Sequence, residues 1–309
     1  MFALSDLNDN DRSALAALLG ARALFNEPLA PYTSWKIGGP ADALVSLETT
    51  EELASVLRLC FARKLPWFVL GSGSNVLIGD GGMRGIVVRL GGAFSGISVE
   101  RVEPEVVVRA GASASAPLVV AQAASAGASG IDGLAGIPGS IGGLLRMNAG
   151  TDREMGEFVR DVVVQAPAKP EPHRVAPQYY YRRTTLAGDA VVAEVVLAFP
   201  VGEPAAVRAA TQARLVRRKA TQPLASPNAG SCFRNPPADR AGRLIEAVGA
   251  KGWRAGDAEV SDVHANFIVN RGAATAADVA SLLGRVRRTV VERTGVELEL
   301  EVHFVGVFV

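Results

Sequence analysis

The sequence of 309 residues predicts an α+β fold, and three observations lead to that prediction. The apolar run at 67–70 enters a glycine-rich loop, and a second apolar run at 76–78 follows it, as expected of two strands. Strand-rich composition continues to about residue 200 and then gives way to a basic helical pattern over 203–219. We therefore interpret the last hundred residues as a separate α+β unit.

Composition and charge favour a folded enzyme or binding protein and exclude several other classes. Apolar residues make up 49% of the chain and charged residues 20%, which is typical of a protein with a large core. The net charge of +1 argues against a surface for nucleic acid or anionic membranes. The acidic N-terminus, with its short apolar run, is neither a signal peptide nor a membrane span. The two separated cysteines, Cys60 and Cys232, indicate a reducing compartment and no structural metal, so we expect a cytoplasmic protein.

Hydrophobic spacing and turn residues predict the remaining elements. Helical patterns cover 9–24, 51–63 and 114–126, and a capping box of Thr275 with Asp278 begins another helix. Strands are predicted at 43–47, 86–90 and 106–110, whereas the proline-rich residues 166–178 are predicted to form a surface loop. Near the C-terminus, Leu298, Leu300, Val302 and Phe304 alternate with polar residues, which predicts a closing strand.

The loop at 71–75 has the composition of an anion-binding loop. Its glycines allow close backbone approach, and successive amide N–H groups can surround a phosphate or pyrophosphate. A dinucleotide fingerprint is excluded, because Val76 occupies the third glycine position and no helix follows. A Walker A loop is excluded because Gly-Lys-Ser/Thr does not occur. A glycine-rich hairpin turn without a ligand remains an alternative at this point.

A second glycine-rich stretch covers residues 130–150 and contains seven glycines. Each glycine costs backbone entropy when it becomes ordered, so close approach to a bulky cofactor would explain so many. The alternative is a loose surface loop, but the isoleucines and leucines interspersed among these glycines need burial.

Seven runs of residues, taken together, resemble one flavoenzyme family. They are TSWKIGGPAD, LGSGSNVLIGDGGMRG, GLAGIPGSIGGLLRMNAG, YYYRRT, PNAGSCFRNP, KGWRAGDAEVSDVHANFIVN and LELEV. They occur in the order found in the UDP-N-acetylenolpyruvoylglucosamine reductase family and cover most of residues 31–304. Any single glycine run is a weak signal, whereas the ordered set is highly specific. The short connection from Arg182 to Ser231 resembles the compact subtype, which lacks an extra loop over the substrate.

The resemblance implies non-covalent FAD in a fold of the vanillyl-alcohol-oxidase (PCMH) type. Two FAD-binding subdomains would occupy 1–88 and 89–202, and a C-terminal α+β substrate-binding domain would occupy 203–309. The implied FAD contacts come from the two glycine-rich loops: Gly71, Ser72, Gly73, Ser74, Asn75, Ile137, Pro138, Gly139, Ser140, Gly142, Gly143, Asn148, Ala149 and Gly150.

The resemblance also implies the reaction and its catalytic residues. NADPH would be the reductant, UDP-N-acetylglucosamine enolpyruvate the substrate and UDP-N-acetylmuramate, a peptidoglycan precursor, the product. Arg182 would stabilise the enolate, and Ser231 would donate the proton. Glu301 would bind the substrate carboxyl group or organise the enol; strand alternation alone does not distinguish it from Glu299.

We also form expectations about the residues near Ser231 and about binding partners. Lys219 and Arg234 are candidates for the cation that a Ser231 alkoxide needs. Cys232 lacks a supporting His or Asn motif, so it is not expected to be a nucleophile. We expect a monomer that binds neither nucleic acid nor a membrane.

The chain departs from the family pattern at Asp132, at Thr184 and over 151–157, which affects the expected local FAD contacts. A related flavin oxidase that uses oxygen, and a flavin- or nucleotide-binding protein that has lost catalysis, are the alternatives to a reductase. The three reactive residue types argue against both.

Overall fold

The computed structural model describes residues 7–309, which fall into two compact units. The first unit comprises the residues up to Phe25, Ala43–Ser72 and Gly85–Arg217, and the second comprises Asn26–Asp42, Gly73–Arg84 and Arg218–Val309. This grouping assigns two short N-terminal segments to the same unit as the C-terminal residues. The division into 1–88, 89–202 and 203–309 follows chain order alone and stays a prediction.

The described chain alternates between helices and strands, so the predicted α+β class is confirmed. The helices are α1 Asp9–Leu19, α2 Thr50–Arg63, α3 Ala116–Ser125, α4 Ile141–Arg146, α5 Pro204–Thr221, α6 Ala241–Ala247 and α7 Ala276–Thr294. The strands are β1 Ala23–Pro28, β2 Pro40–Leu47, β3 Trp67–Val69, β4 Val76–Ile78, β5 Met83–Leu90, β6 Ile97–Val102, β7 Glu105–Gly111, β8 Val159–Ala166, β9 Lys169–Val175, β10 Tyr179–Tyr180, β11 Arg183–Thr184, β12 Val191–Pro200, β13 Arg254–Ala255, β14 Ala258–Val260, β15 Ile268–Asn270 and β16 His303–Val305.

One core of the first unit forms around a four-stranded sheet of order β1-β2-β5-β3. Helix α2 contributes Leu53, Val56, Leu57 and Cys60 to this core, as its hydrophobic spacing predicts. The predicted opening helix is too long at its C-terminal end: α1 ends at Leu19 because Gly20 has φ +58°, and β1 begins at Ala23.

The other core of the first unit lies against a five-stranded antiparallel sheet of order β6-β7-β12-β8-β9. The loop predicted at 166–178 is wrong in part, because 169–175 forms the edge strand β9, paired with β8. Pro170 and Pro172 are two residues apart, so their missing N–H groups face the same side of the strand. The outer side of an edge strand has no neighbouring strand to accept hydrogen bonds, so prolines whose nitrogens face outward are tolerated.

The second unit has its own core, and Trp35 is fully buried within it. The indole Nε1 of Trp35 donates to the carbonyl of Ile268 at 2.7 Å. In return, the Asn270 amide donates to the carbonyl of Trp35 at 3.0 Å. These two bonds fix the TSWKIGGPAD segment to β15, although more than 230 residues of chain separate them.

Helix α7 begins where the sequence predicts, and its capping box of Thr275 with Asp278 is present. Asp80, from the glycine-rich turn after β4, adds a second cap. Its carboxylate oxygens accept hydrogen bonds from the backbone N–H groups of Ala276 and Ala277 at 2.8 and 2.9 Å. Asp80 therefore stabilises the start of α7 by satisfying exposed donors and by placing negative charge at the positive end of the helix.

The predicted closing strand is shorter than its alternation suggests, because only His303–Val305 forms strand β16. Leu298 and Val302 are buried as predicted, whereas Phe304 is 40% exposed. Leu300 makes an isolated bridge with Phe233, so the residues before β16 pair with an irregular segment and not with a regular strand. Among residues 7–309, none of the helices combines the length and the apolar composition that crossing a bilayer requires.

We expect Asp80→Ala to lower the free energy of unfolding by about 1–2 kcal/mol, because two N–H groups of α7 lose their acceptor. Asp80→Asn, which keeps one amide oxygen, should fall between Asp80→Ala and the wild type. Urea denaturation followed by circular dichroism measures the difference. An Asp80→Ala midpoint equal to that of the wild type would contradict the capping role.

Both cysteine thiols should be unreactive in the folded protein. Burial raises the pKa of Cys60 and of Cys232 to about 12, so neither is a thiolate at pH 8. These raised values favour the folded state below pH 9, and this contribution is lost as the pH rises from 9 towards 12. A thiol reagent should modify both residues only after denaturation in urea. Rapid labelling of Cys232 in the native protein would show an exposed thiol.

Candidate active site

The loop at 71–75 joins two strands that do not pair with each other. Strand β3 pairs in parallel with β5, and β4 pairs in parallel with β16. The alternative of a simple hairpin turn is therefore wrong. Gly71 and Ser72 belong to the first unit and are exposed, whereas Gly73, Ser74 and Asn75 belong to the second.

Within the first unit, the two predicted cofactor loops lie together. A Cβ atom added at Gly71 would lie 2.8 Å from the hydroxyl oxygen of Ser140, so a side chain here would require that hydroxyl to move. Gly139 has φ +139° and its carbonyl accepts a hydrogen bond from Ala116 at 3.0 Å. Of the two residues just before Gly139, Ile137 is half-buried and Pro138 is exposed. The structure thus brings 137–143 and the start of the first loop to one place.

Gly142 has a structural reason of its own for being glycine. Its N–H donates to the carbonyl of Ala112 at 2.8 Å, and an added Cβ would come within 2.9 Å of the Ala112 side chain. The neighbouring Gly143 is exposed. Of these two predicted cofactor residues, Gly142 therefore serves backbone packing whatever else it contacts.

The sequence interpretation missed Ser113, which follows Ala112. Its hydroxyl is buried and has no hydrogen-bond partner within the described part of the chain. A buried hydroxyl without a partner costs free energy, which a ligand could recover. The run of small residues around Ser113 is the only signal in the sequence, and it does not single out one of them. With the narrow space at Gly71 and Ser140, this hydroxyl suits a large polar cofactor such as FAD.

Arg182 is held in one orientation inside the first unit. Its Nη1 lies 3.1 Å from a Glu154 carboxylate oxygen, and its Nη2 donates to the carbonyl of Gly150 at 2.8 Å. The guanidinium carbon lies 4.8 Å from the ring centroid of Tyr181. The side chain is only 15% exposed, unlike that of an ordinary surface arginine.

Asn148, predicted as a cofactor contact, uses its side-chain amide for bonds within the protein. Its Nδ2 donates to Glu154 at 2.6 Å and to the carbonyl of Tyr180 at 3.0 Å. Its Oδ1 accepts from the backbone N–H of Gly156 at 2.8 Å. Ala149 is half-buried, and Gly150 has no space for a side chain, because an added Cβ would lie 2.0 Å from the carbonyl of Arg153.

The three departures from the family pattern have structural roles within the first unit. Asp132 and Asp152 both form ion pairs with Arg214 of α5, the first at 3.4 Å. Thr184 pairs with Tyr179 in the β10–β11 hairpin, and its hydroxyl accepts from Leu186 at 3.3 Å. These contacts show how the divergent residues are accommodated.

In the second unit, the segments that carry Ser231 and Glu301 lie side by side. The Glu301 N–H donates to the carbonyl of Cys232 at 2.8 Å, and the Asn75 amide donates to the Glu301 carbonyl at 3.1 Å. Asn266 accepts from the N–H of Phe233 and donates to its carbonyl, at 3.0 and 2.8 Å. The backbone immediately after Ser231 is therefore held by Glu301 and Asn266.

The charge of Glu301 contributes to the pKa of Cys232 in this segment. Burial is the main cause of the raised pKa of Cys232, and the negative charge of Glu301 adds to it. Glu299, by contrast, has a side chain that is 75% exposed and interacts with Arg234 at 3.4 Å. The two glutamates that alternation could not distinguish thus have different surroundings.

Three buried polar atoms of the second unit lack a hydrogen-bond partner within residues 7–309: Arg218 Nε, Gln222 Oε1 and Arg234 Nε. Arg234 also lowers the pKa of His303, for which burial is the larger cause. The sequence interpretation named Arg234 and Lys219 but missed Arg218 and Gln222, which lie on either side of Lys219 in the chain. Unpartnered donors on two arginines suit an anionic ligand.

Comparison with known proteins matches both parts of the chain. A family model described as "FAD binding domain" matches residues 41–167, and one described as "UDP-N-acetylenolpyruvoylglucosamine reductase, C-terminal domain" matches residues 222–305. The predicted FAD-binding fold is thereby confirmed.

Similar proteins of near-equal length carry the same name. A UDP-N-acetylenolpyruvoylglucosamine reductase 2 of Symbiobacterium thermophilum is 48% identical over 286 residues, covering 91% of each chain. A reductase of the same name from Moorella thermoacetica is 42% identical over 304 residues, covering 96% of this chain and 99% of that protein.

A solved structure agrees with this likeness. The crystal structure of UDP-N-acetylenolpyruvylglucosamine reductase from Thermus caldophilus superimposes with a TM-score of 0.78 at 36% identity, covering 92% of this chain and 98% of that one. The chain therefore belongs to the UDP-N-acetylenolpyruvoylglucosamine reductase family, whose members are oxidoreductases with an FAD-binding domain.

Proposed function

We propose that the protein reduces UDP-N-acetylglucosamine enolpyruvate to UDP-N-acetylmuramate for peptidoglycan synthesis, with NADPH as the reductant. The names of its relatives support this proposal. The observation that carries it is the fixed orientation of Arg182, because the reaction develops negative charge on a carboxylate and an oriented guanidinium stabilises such charge.

The chemistry divides between the cofactor and the residues of the chain. FAD, when bound and reduced, supplies the hydride that adds to the terminal carbon of the enolpyruvyl double bond. The electron pair of that bond moves towards the substrate carboxylate, which becomes an enolate. Arg182 stabilises this enolate more strongly than the ground-state carboxylate, as catalysis requires.

Ser231 completes the reduction by giving its proton to the carbon next to the carboxylate. A serine hydroxyl is a weak acid, so the alkoxide it leaves needs a nearby positive charge. Arg234 has a buried, unpartnered Nε and is one candidate for that charge; Lys219 is the other. Glu301 binds the substrate carboxyl group or organises the enol, on a backbone that Asn75 holds in place.

The residues proposed to hold FAD come from both glycine-rich loops. Gly71, Ser72, Gly139, Ser140 and Gly143 suit this role by position, and the Ser113 hydroxyl supplies a further group. NADPH and the enolpyruvyl substrate use the same site in turn, with NADP leaving first. The monomeric state and the cytoplasmic location remain predictions.

An anaerobic absorbance titration tests the proposed reaction. We expect stoichiometric NADPH to bleach the flavin band and UDP-N-acetylglucosamine enolpyruvate to restore it. Rapid recovery with oxygen alone, equal to that with substrate, would indicate an oxidase instead. A protein without flavin, or a flavin that NADPH cannot bleach, would leave only a binding role.

Ser231→Ala tests the proton donor. We expect reduction of the flavin by NADPH to stay within about twofold of the wild type, whereas reoxidation by substrate slows by a factor of about 100 or more. Ser226→Ala removes a hydroxyl from the same loop and serves as the control, with both rates unchanged. Equal losses in the two half-reactions of Ser231→Ala would contradict the assignment.

A further inference from the structure

A single short segment provides two hydrogen-bond acceptors to the Arg182 guanidinium. The Gly150 carbonyl and the Glu154 carboxylate both accept hydrogen bonds from the guanidinium. The backbones of these two residues also form an isolated antiparallel β-bridge. Arg182 also has φ +57°, a left-handed conformation that is uncommon for a residue with a side chain. Arg182 is the second residue of the two-residue turn between β10 and β11, a place where tight turns adopt positive φ.

Asn148 connects this segment with the chain that carries Arg182. It is 2% exposed and has φ +41°. One of its N–H groups binds the second oxygen of Glu154 and the other binds the carbonyl of Tyr180, two residues before Arg182. Its oxygen accepts from Gly156. A single buried amide thus fixes both the Glu154 carboxylate and the backbone that leads to Arg182.

Position 154 requires two acceptors. One carboxylate oxygen of Glu154 faces the Arg182 guanidinium, and the other faces the Asn148 amide nitrogen. A glutamine has one oxygen and one NH₂ group, so one of these donors would face another donor. A glutamate meets both requirements without rearrangement.

The Glu154 carboxylate is costly to bury. Burial raises the pKa of Glu154, the charge of Arg182 lowers it and the nearby Glu157 raises it. Glu157 in turn receives a hydrogen bond from the Glu154 N–H and forms an ion pair with Arg153. A partly buried carboxylate beside a second carboxylate, that of Glu157, is unfavourable by itself. Its contact with the Arg182 guanidinium compensates for this cost.

We propose that Glu154 and Asn148 act as a positioning pair that holds the Arg182 guanidinium in the orientation needed to stabilise the enolate. Its proposed role is to orient Arg182 and not to contact the reacting atoms. It restricts the rotation of the arginine before substrate arrives, so less conformational entropy is lost in the transition state. The inference rests on the proposed function, in which Arg182 stabilises the enolate.

The test is the Glu154→Gln variant, with the two half-reactions measured separately by stopped-flow absorbance. We expect reoxidation by UDP-N-acetylglucosamine enolpyruvate to slow by about 10- to 100-fold, because a misplaced catalytic group costs rate of this order. Reduction by NADPH should stay within about twofold. Asp152→Asn is the matched control: the same segment loses a carboxylate that pairs with Arg214 and not with Arg182, and both rates should stay within about twofold.

A double-mutant cycle separates positioning from a merely structural role. Arg182→Lys alone should slow reoxidation strongly, and adding Glu154→Gln should cause little further loss, because the group being positioned is already gone. Losses that multiply, or a Glu154→Gln defect shared equally by the two half-reactions, would overturn the positioning pair. If Arg182→Lys left reoxidation unchanged, the proposed role of Arg182 would fail instead, so the two failures are distinguishable.

A conservative variant keeps the test decisive if Glu154→Gln does not fold. Glu154→Asp retains both oxygens and the charge but withdraws them by about 1.5 Å, the length of one C–C bond. Slower reoxidation with intact NADPH reduction is expected for it as well, and unchanged reoxidation would overturn the proposal.

Discussion

The parallel pairing of β4 with β16 is the constraint on which the candidate site of the second unit depends. It places Val76–Ile78 beside His303–Val305, so the loop before β4 reaches Glu301 and the turn after β4 reaches α7. Asn75 consequently holds the Glu301 backbone, and Asp80 caps α7. Glycine is required in this turn, since a Cβ at Gly79 would lie 2.1 Å from the carbonyl of Val307. The glycine-rich segment that resembles a phosphate-binding loop therefore also connects β16 and α7, which are distant from it in the sequence.

Local patterns predicted the elements whose cause is local. The spacing of apolar residues in α2 and the capping box of α7 depend on neighbours within four residues, so the sequence displays them directly. The edge strand β9 was missed because proline usually excludes a strand, and only its place at the sheet edge permits it. The closing strand was overestimated because alternation at 298–304 reflects burial on one side, which an irregular segment can also provide.

The predicted roles of site residues also differ in whether a local pattern in the sequence can indicate them. The motif match predicts roles for Arg182, Ser231 and Glu301, but no local pattern indicates which side chain orients another. Asn148 matches a cofactor-loop motif, yet its amide is used by Glu154, Tyr180 and Gly156. Ser113 and Gln222 matched no predicted role, and their significance follows only from buried atoms that lack a partner. Such information requires three-dimensional contacts, because burial and hydrogen-bond satisfaction are properties of the packed chain.

The pairing of Arg182 with Glu154 also explains how a strong cation can be kept in a partly buried position before substrate binds. An arginine without a counter-charge would lose hydration and gain nothing in return, whereas the carboxylate compensates it and directs it. In the proposed reaction, the guanidinium can add the anionic substrate as a second negative partner without first finding its orientation. Glu154 opposes the approach of that charge to some extent, so a neutral partner would favour binding. In the proposed reaction a carboxylate suits this position, because orientation in the transition state contributes more to the rate than additional attraction in the ground state.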